Sequence, residues 1–143
     1  MKRLFVLLAI VVFASCSSDD DSGDAYTSEF EQIKTTLPQG QWKISTLISN
    51  EADHTSDFES FVFTFNEDGT VDGETDLFSE TGNWTYDNTS STSEKLVLEF
   101  GETEPFPQIS DDWHIISVST SKVELSDDDN ASGGTELLTF TKL

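Results

Sequence analysis

Basic side chains are scarce in this chain. Lys and Arg total 7 against 28 Asp and Glu, a formal net charge of −21 over 143 residues, and Arg3 is the only arginine. A surface this acidic repels nucleic-acid phosphate and anionic lipid headgroups. It leaves cationic partners, metal ions, and neutral sugars or lipids. Cysteine occurs once, at Cys16, so no intrachain disulfide can staple the fold and packing must stabilise it. There are two histidines, and no nucleophile elbow, phosphate loop or zinc-ligand spacing. The expectation is a non-enzyme without a cofactor. No apolar run reaches the roughly 20 residues that a membrane helix needs. Neither an internal repeat nor a βαβ pattern occurs. Aromatics, by contrast, are plentiful: eleven Phe, three Trp and two Tyr can build a core despite the charge.

The N-terminus reads as an address. Lys2 and Arg3 precede an apolar run, Leu4 to Ala14, that fits the h-region of a secretory signal. The run ends in Phe13-Ala14-Ser15-Cys16, with small residues before the cysteine. This resembles the lipobox of bacterial lipoproteins, although Phe13 stands where Leu is commonest. The resemblance implies that the Cys16 thiol takes a diacylglyceryl group and that the signal is cut before it. The new amine is then acylated, with palmitate among the chains carried. A thiolate is a good nucleophile for that step, and several acyl chains anchor where one is marginal.

Ser17-Ser18-Asp19-Asp20-Asp21 follows at once. It resembles the acidic export signal of Bacteroidota-type surface lipoproteins, and it also suits a solvated tether, because like charges extend a chain. The expected organisation is a signal over 1–15, an acidic tether over 16–25 and one domain over 26–143. The expected location is the outer membrane, lipid-anchored, at the cell surface.

From Tyr26 the pattern turns helical. Tyr26, Phe30, Ile33 and Leu37 share a face, Ser28 and Glu31 form a capping box, and Pro38 and Gly40 end the helix. The period then becomes two. Strands are predicted around Trp42–Ile48, Phe61–Phe65, Val71–Thr75, Gly82–Tyr86, Leu96–Phe100, Trp113–Val118, Val123–Leu125 and Leu138–Lys142. Asn66 to Thr70 (NEDGT) reads as a hairpin turn. Thr103 to Gln108 holds two prolines and reads as a break. Ser126 to Gly134 reads as a loop. The fold class is all-β: an eight-stranded antiparallel up-and-down barrel preceded by one short helix.

Gly40-Gln41-Trp42 is a G-x-W at the first strand. With the segments FTFNEDGT, GNWTYDN, KLVLEF and TELLTFTKL, it is similar to the lipocalin-like lipoproteins. The resemblance implies that Trp42 plugs one barrel end under a basic side chain near the last strand, a place Lys142 can take. Phe61, Phe63, Phe65, Trp84, Tyr86, Leu96, Leu98, Phe100 and Phe140 are the candidate lining for an apolar small molecule at the open end. The same residues could instead fill the barrel, leaving a structural or interaction protein. His54, between Asp53 and Asp57, reads as an exposed loop residue, and His114 has no assigned role. Asp128, Asn130 and Ser132 match the first half of a calcium loop, but position twelve is Thr139 rather than Glu. A monomer is expected.

Overall fold

Helix α1 (Glu29–Thr36) begins where the capping box places it: the Ser28 hydroxyl accepts the Glu31 N–H at 3.2 Å. The computed structural model describes residues 28–87, 94–128 and 134–143. Tyr26 lies outside them. Ile33 and Leu37, one helical turn apart, are fully buried against the barrel.

Among the described residues the strands are β1 (Gln41–Ser49), β2 (Ala52–Asp53), β3 (Val62–Phe65), β4 (Thr70–Glu74), β5 (Ser79–Asp87), β6 (Lys95–Glu99), β7 (Asp112–Val118), β8 (Lys122–Asp127) and β9 (Glu136–Lys142). Sequential antiparallel pairing runs from β1 through β3 to β9, and β1 pairs with β9 to close the sheet. The result is a closed eight-stranded antiparallel barrel with one helix before it. β2 is a two-residue appendage on β1, joined through Asn50 and Glu51, both at positive φ, as a two-residue hairpin of the I′ kind requires. The NEDGT turn joins β3 and β4, with Gly69 at φ +89°.

Two β-bulges correct the strict alternation expected of β1 and β7. In β1 the register shifts between Ile44 and Thr46. Leu47 is therefore fully buried, whereas the alternation had put Thr46 and Ile48 in phase with Trp42. In β7 the shift falls between Ile115 and Ser117, and Val118 packs on the core in place of Ser117. An extra residue flips every side chain after it to the other face. Ser126 and Asp127 belong to β8 and are buried, so the loop starts later than expected.

The barrel has two differently built ends. The chain enters at the first, where α1, the NEDGT turn and the β7–β8 turn lie. At the second, two one-turn 3-10 segments, Thr55–Phe58 and Phe106–Gln108, fold inward.

Candidate functional site

At the first end Gly40 has φ +144°, and a Cβ there would sit 2.7 Å from Lys142 Cε. Glycine both permits that backbone and leaves room for the lysine stem. Lys142 pairs with Trp42 across β1 and β9, and its Nζ lies 5.9 Å from the Trp42 ring centroid. A cation–π contact at that range contributes about 0.5–1 kcal/mol.

The indole N–H groups tie the end caps down. Trp42 Nε1 donates to the Leu37 carbonyl at 2.9 Å, Trp84 Nε1 to that of Asn66 at 2.9 Å, and Trp113 Nε1 to that of Ile109 at 3.1 Å. Each acceptor belongs to a capping segment: the helix end, the β3–β4 turn, and the residue after the second 3-10 turn. A buried indole needs a partner, and here the partner fixes a cap.

The nine candidate lining residues do not share one environment. Phe63, Phe65, Leu96, Leu98 and Phe140 are buried at 1% exposure or less. Phe63 meets Phe140 edge-on at 5.5 Å, Phe140 meets Phe65 at 5.4 Å, and Phe65 meets Trp84 at 5.9 Å. Phe61 precedes β3 rather than opening it. Phe100 follows β6 and is only half-buried. Tyr86 has the inward phase, but it sits at the first end, where its ring stacks on Phe30 of α1 at 3.5 Å. Burial and the neighbouring Glu94 push its phenol up.

The second end, expected to be open, is stoppered. Phe58 and Phe106 are fully buried and meet edge-on at 6.1 Å. Phe106 also contacts Phe61 at 5.1 Å and Phe100 at 4.7 Å. The barrel wall is recessed to take these rings. A Cβ on Gly73 would come within 2.5 Å of Phe106 Cε1, and one on Gly82 within 2.6 Å of Phe100 Cδ1. An unbroken column of aromatic rings thus runs from Phe106 through Phe63, Phe140 and Phe65 to Trp84.

Sequence reasoning missed Phe58 and Phe106, which it left in an exposed loop and a proline-rich break. The available signal was an isolated Phe inside each polar stretch. Gly73 and Gly82, each at an inward position of a predicted strand, pointed to a close approach.

His54, expected in an exposed loop, precedes the first 3-10 turn and lies 3.3 Å from Asp57 through Nδ1. Gln108 Nε2 also donates to Asp57, joining the two plug turns. His114 faces outward, and Trp113 is fully buried. Asp128 is exposed, and Asn130 and Ser132 lie outside the described residues, as do Cys16 and Ser17, Ser18, Asp19, Asp20 and Asp21. Among the described residues, no group of three His, Cys, Asp or Glu is placed to hold a metal.

Asp111, exposed beside the plug, is held above the ordinary carboxylate range, first by partial desolvation of its carboxyl and further by the negative Asp127 and Asp112, against the Asp112 N–H that its Oδ1 accepts at 2.8 Å. Its folded form binds a proton more readily than the unfolded chain does. At neutral pH its charge therefore opposes folding, and the penalty fades as pH falls through its folded pKa. Asp111→Asn should raise the melting temperature slightly at pH 7 and leave it unchanged near pH 3. A lower value at pH 7 would contradict the assignment.

Grooves indent the surface formed by the described residues. One of about 690 Å³ is lined by Gln41, Ser60, Val62, Glu74, Thr75, Asp76 and Leu77. A second, about 420 Å³, lies between Ile44 and the 53–59 segment. A third, about 450 Å³, runs under the helix end beside Lys34, Glu67 and Trp84.

No protein-family model and no curated protein matches the chain. Among solved structures it is similar to a DUF4847 family protein from Bacteroides vulgatus ATCC 8482. The identity is 14% and the TM-score 0.51, over 76% of this chain and 96% of the other. At that identity the likeness concerns the fold, a barrel found in Bacteroides.

Proposed function

We propose that this chain is a lipid-anchored, lipocalin-like barrel displayed on the outer face of a bacterial outer membrane. It is non-catalytic and works through its outer surface rather than through a ligand inside. The column of rings carries the reading: among the described residues, side chains packed from end to end of the interior disfavour cargo there. The glycine recesses support it, because a wall cut back for a phenyl ring suits permanent packing. The Cys16 lipobox and the aspartates after it support the anchor and the export. The second 3-10 end lies opposite the chain entry, so an anchored barrel presents it outward.

A second reading, an apolar small molecule held in the barrel, draws on the plug rim. Phe78 is 40% exposed while its ring touches Phe106 at 6.2 Å, so the stopper has one wet ring. Native mass spectrometry of protein purified from its own host separates the two. The filled reading expects the mass of the lipidated chain alone. A stoichiometric adduct beyond the acyl chains would overturn it.

The anchor is tested separately. Cys16→Ser should abolish incorporation of a palmitate analogue. Replacing Asp19, Asp20 and Asp21 with Ala should keep lipidation and remove accessibility to protease on intact cells. Unchanged accessibility sinks the export reading.

A further inference from the structure

β4 and β5 are joined at the second end by a tight turn, Thr75-Asp76-Leu77-Phe78. The Thr75 N–H donates to the Phe78 carbonyl at 2.8 Å. The Thr75 hydroxyl oxygen accepts the N–H groups of Leu77 and Phe78 at 3.3 and 3.1 Å. Threonine and backbone thus hold the turn without help from the leucine side chain. Leu77 is 98% exposed, in a place where Asn, Asp, Gly or Ser would serve a turn better. It is not a solitary apolar residue. Phe78 beside it is also exposed, and its ring rests on Phe61 and Phe106 of the stopper at 6.4 and 6.2 Å. The tip is already fixed in place, which lowers the ordering cost of any association through it.

The charge around this tip has one sign. Lys34, Lys43, Lys95, Lys122 and Lys142 are all the Lys and Arg that follow Cys16. Every one of them stands at the first end. Lys34 is in α1, Lys43 and Lys142 flank Trp42 on β1 and β9, Lys122 follows the β7–β8 turn, and Lys95 opens β6 opposite Asp87. The tip itself carries Glu74, Asp76 and Glu80. Glu80 lies against Gly101, whose Cβ would fall 2.6 Å from Glu80 Oε1, and the exposed Glu102 and Glu104 follow. Below the tip, the groove of about 690 Å³ runs from Leu77 past Val62, with Glu74 and Asp76 on its wall.

We propose that the Leu77–Phe78 tip is the docking knob for a basic partner protein. Leu77 enters an apolar pocket on the partner, and lysines or arginines around that pocket meet Glu74, Asp76 and Glu80. An apolar anchor at the centre with charge around it is the anatomy of an interface hot spot. Charge complementarity selects the partner. With its lysines at one end and only carboxylates around the tip at the other, the barrel turns a basic partner toward the second end. Acidic segments and anionic headgroups are repelled there. The second end lies opposite the chain entry, so an anchored barrel leaves the knob accessible. The inference rests on the surface-acting reading above and names the partner class and the residues that meet it.

The test places a photoreactive leucine analogue at position 77 of the lipidated chain in its own host. Irradiation of intact cells should give one discrete adduct with a second protein. The same analogue at Ile116, which is half-exposed on another wall, should not give it. The captured protein, identified by mass spectrometry and purified, should bind the mature chain with an affinity that falls as salt rises. Leu77→Asn should weaken that binding about tenfold or more, and so should the Glu74→Lys, Asp76→Lys double variant. Ile116→Thr should stay within about twofold. Asn suits the turn, so Leu77→Asn should melt with the wild type, and lost binding is read apart from lost structure. No adduct at position 77, or the same adduct from both positions, overturns the proposal. So does an affinity indifferent to Leu77, to the two carboxylates or to salt. A second copy of this chain as the captured protein also overturns it. Localisation and ligand content are measured independently, so failure here leaves the surface-acting reading to its own tests.

Discussion

Phe106→Ala is expected to destabilise the domain by about 3–5 kcal/mol, the range for deleting a fully buried phenyl ring. The ring is the hub of the stopper, touching Phe58, Phe61, Phe63, Phe78 and Phe100. The groups around it cannot all follow it inward. Phe58 is held by its own 3-10 turn, and the wall at Gly73 has no side chain to fill the gap. Urea unfolding at 25 °C checks the energy. A change below about 1 kcal/mol would mean that the end collapses freely and is not packed as described. The same variant bears on function. Opening a dry apolar cavity at the barrel mouth should create binding of a small fluorescent apolar probe that the wild type lacks. If the wild type binds the probe equally, the filled reading fails.

Trp42→Ala should cost a similar amount, about 3–5 kcal/mol. At this end the loss has two separable parts. Trp42 is fully buried, and its indole N–H holds the Leu37 carbonyl where α1 turns into β1. Trp42→Phe keeps most of the volume and abandons that carbonyl, for an expected loss of about 1–3 kcal/mol. Hydrogen exchange separates the parts further. In the Phe variant, amides of α1 should lose protection more than those of β5 and β6, because the helix is the element the indole ties down. Uniform loss along the barrel would show that the hydrogen bond does not anchor the helix.

The two ends reach the same result by different routes. A tryptophan from the barrel reaches out and holds the helix by its N–H. At the other end two loops send phenyl rings in. With both ends filled by described side chains, the proposed recognition surface is the outside, on walls where carboxylates are dense and bases few.

Much of this was legible from order alone. The capping box at Ser28, the break at Pro38, the NEDGT turn and the two-residue period of most strands depend on neighbours within a few positions. Short-range sterics and solvation decide them in any context. The acidic balance and the Cys16 motif are likewise properties of the string, and the proposed address rests on them without any fold.

What only the tertiary structure decided lies at sites where distant segments meet. A bulge that buries Leu47 instead of Ile48 is set by register against β9, which lies about ninety residues further along the chain. The inward turn of Phe106 depends on the recess at Gly73 in another strand, so the isolated Phe in its own stretch could hint at burial but not say where the ring goes. Periodicity speaks of which face a residue takes, and closure of the barrel decides which faces have something to meet.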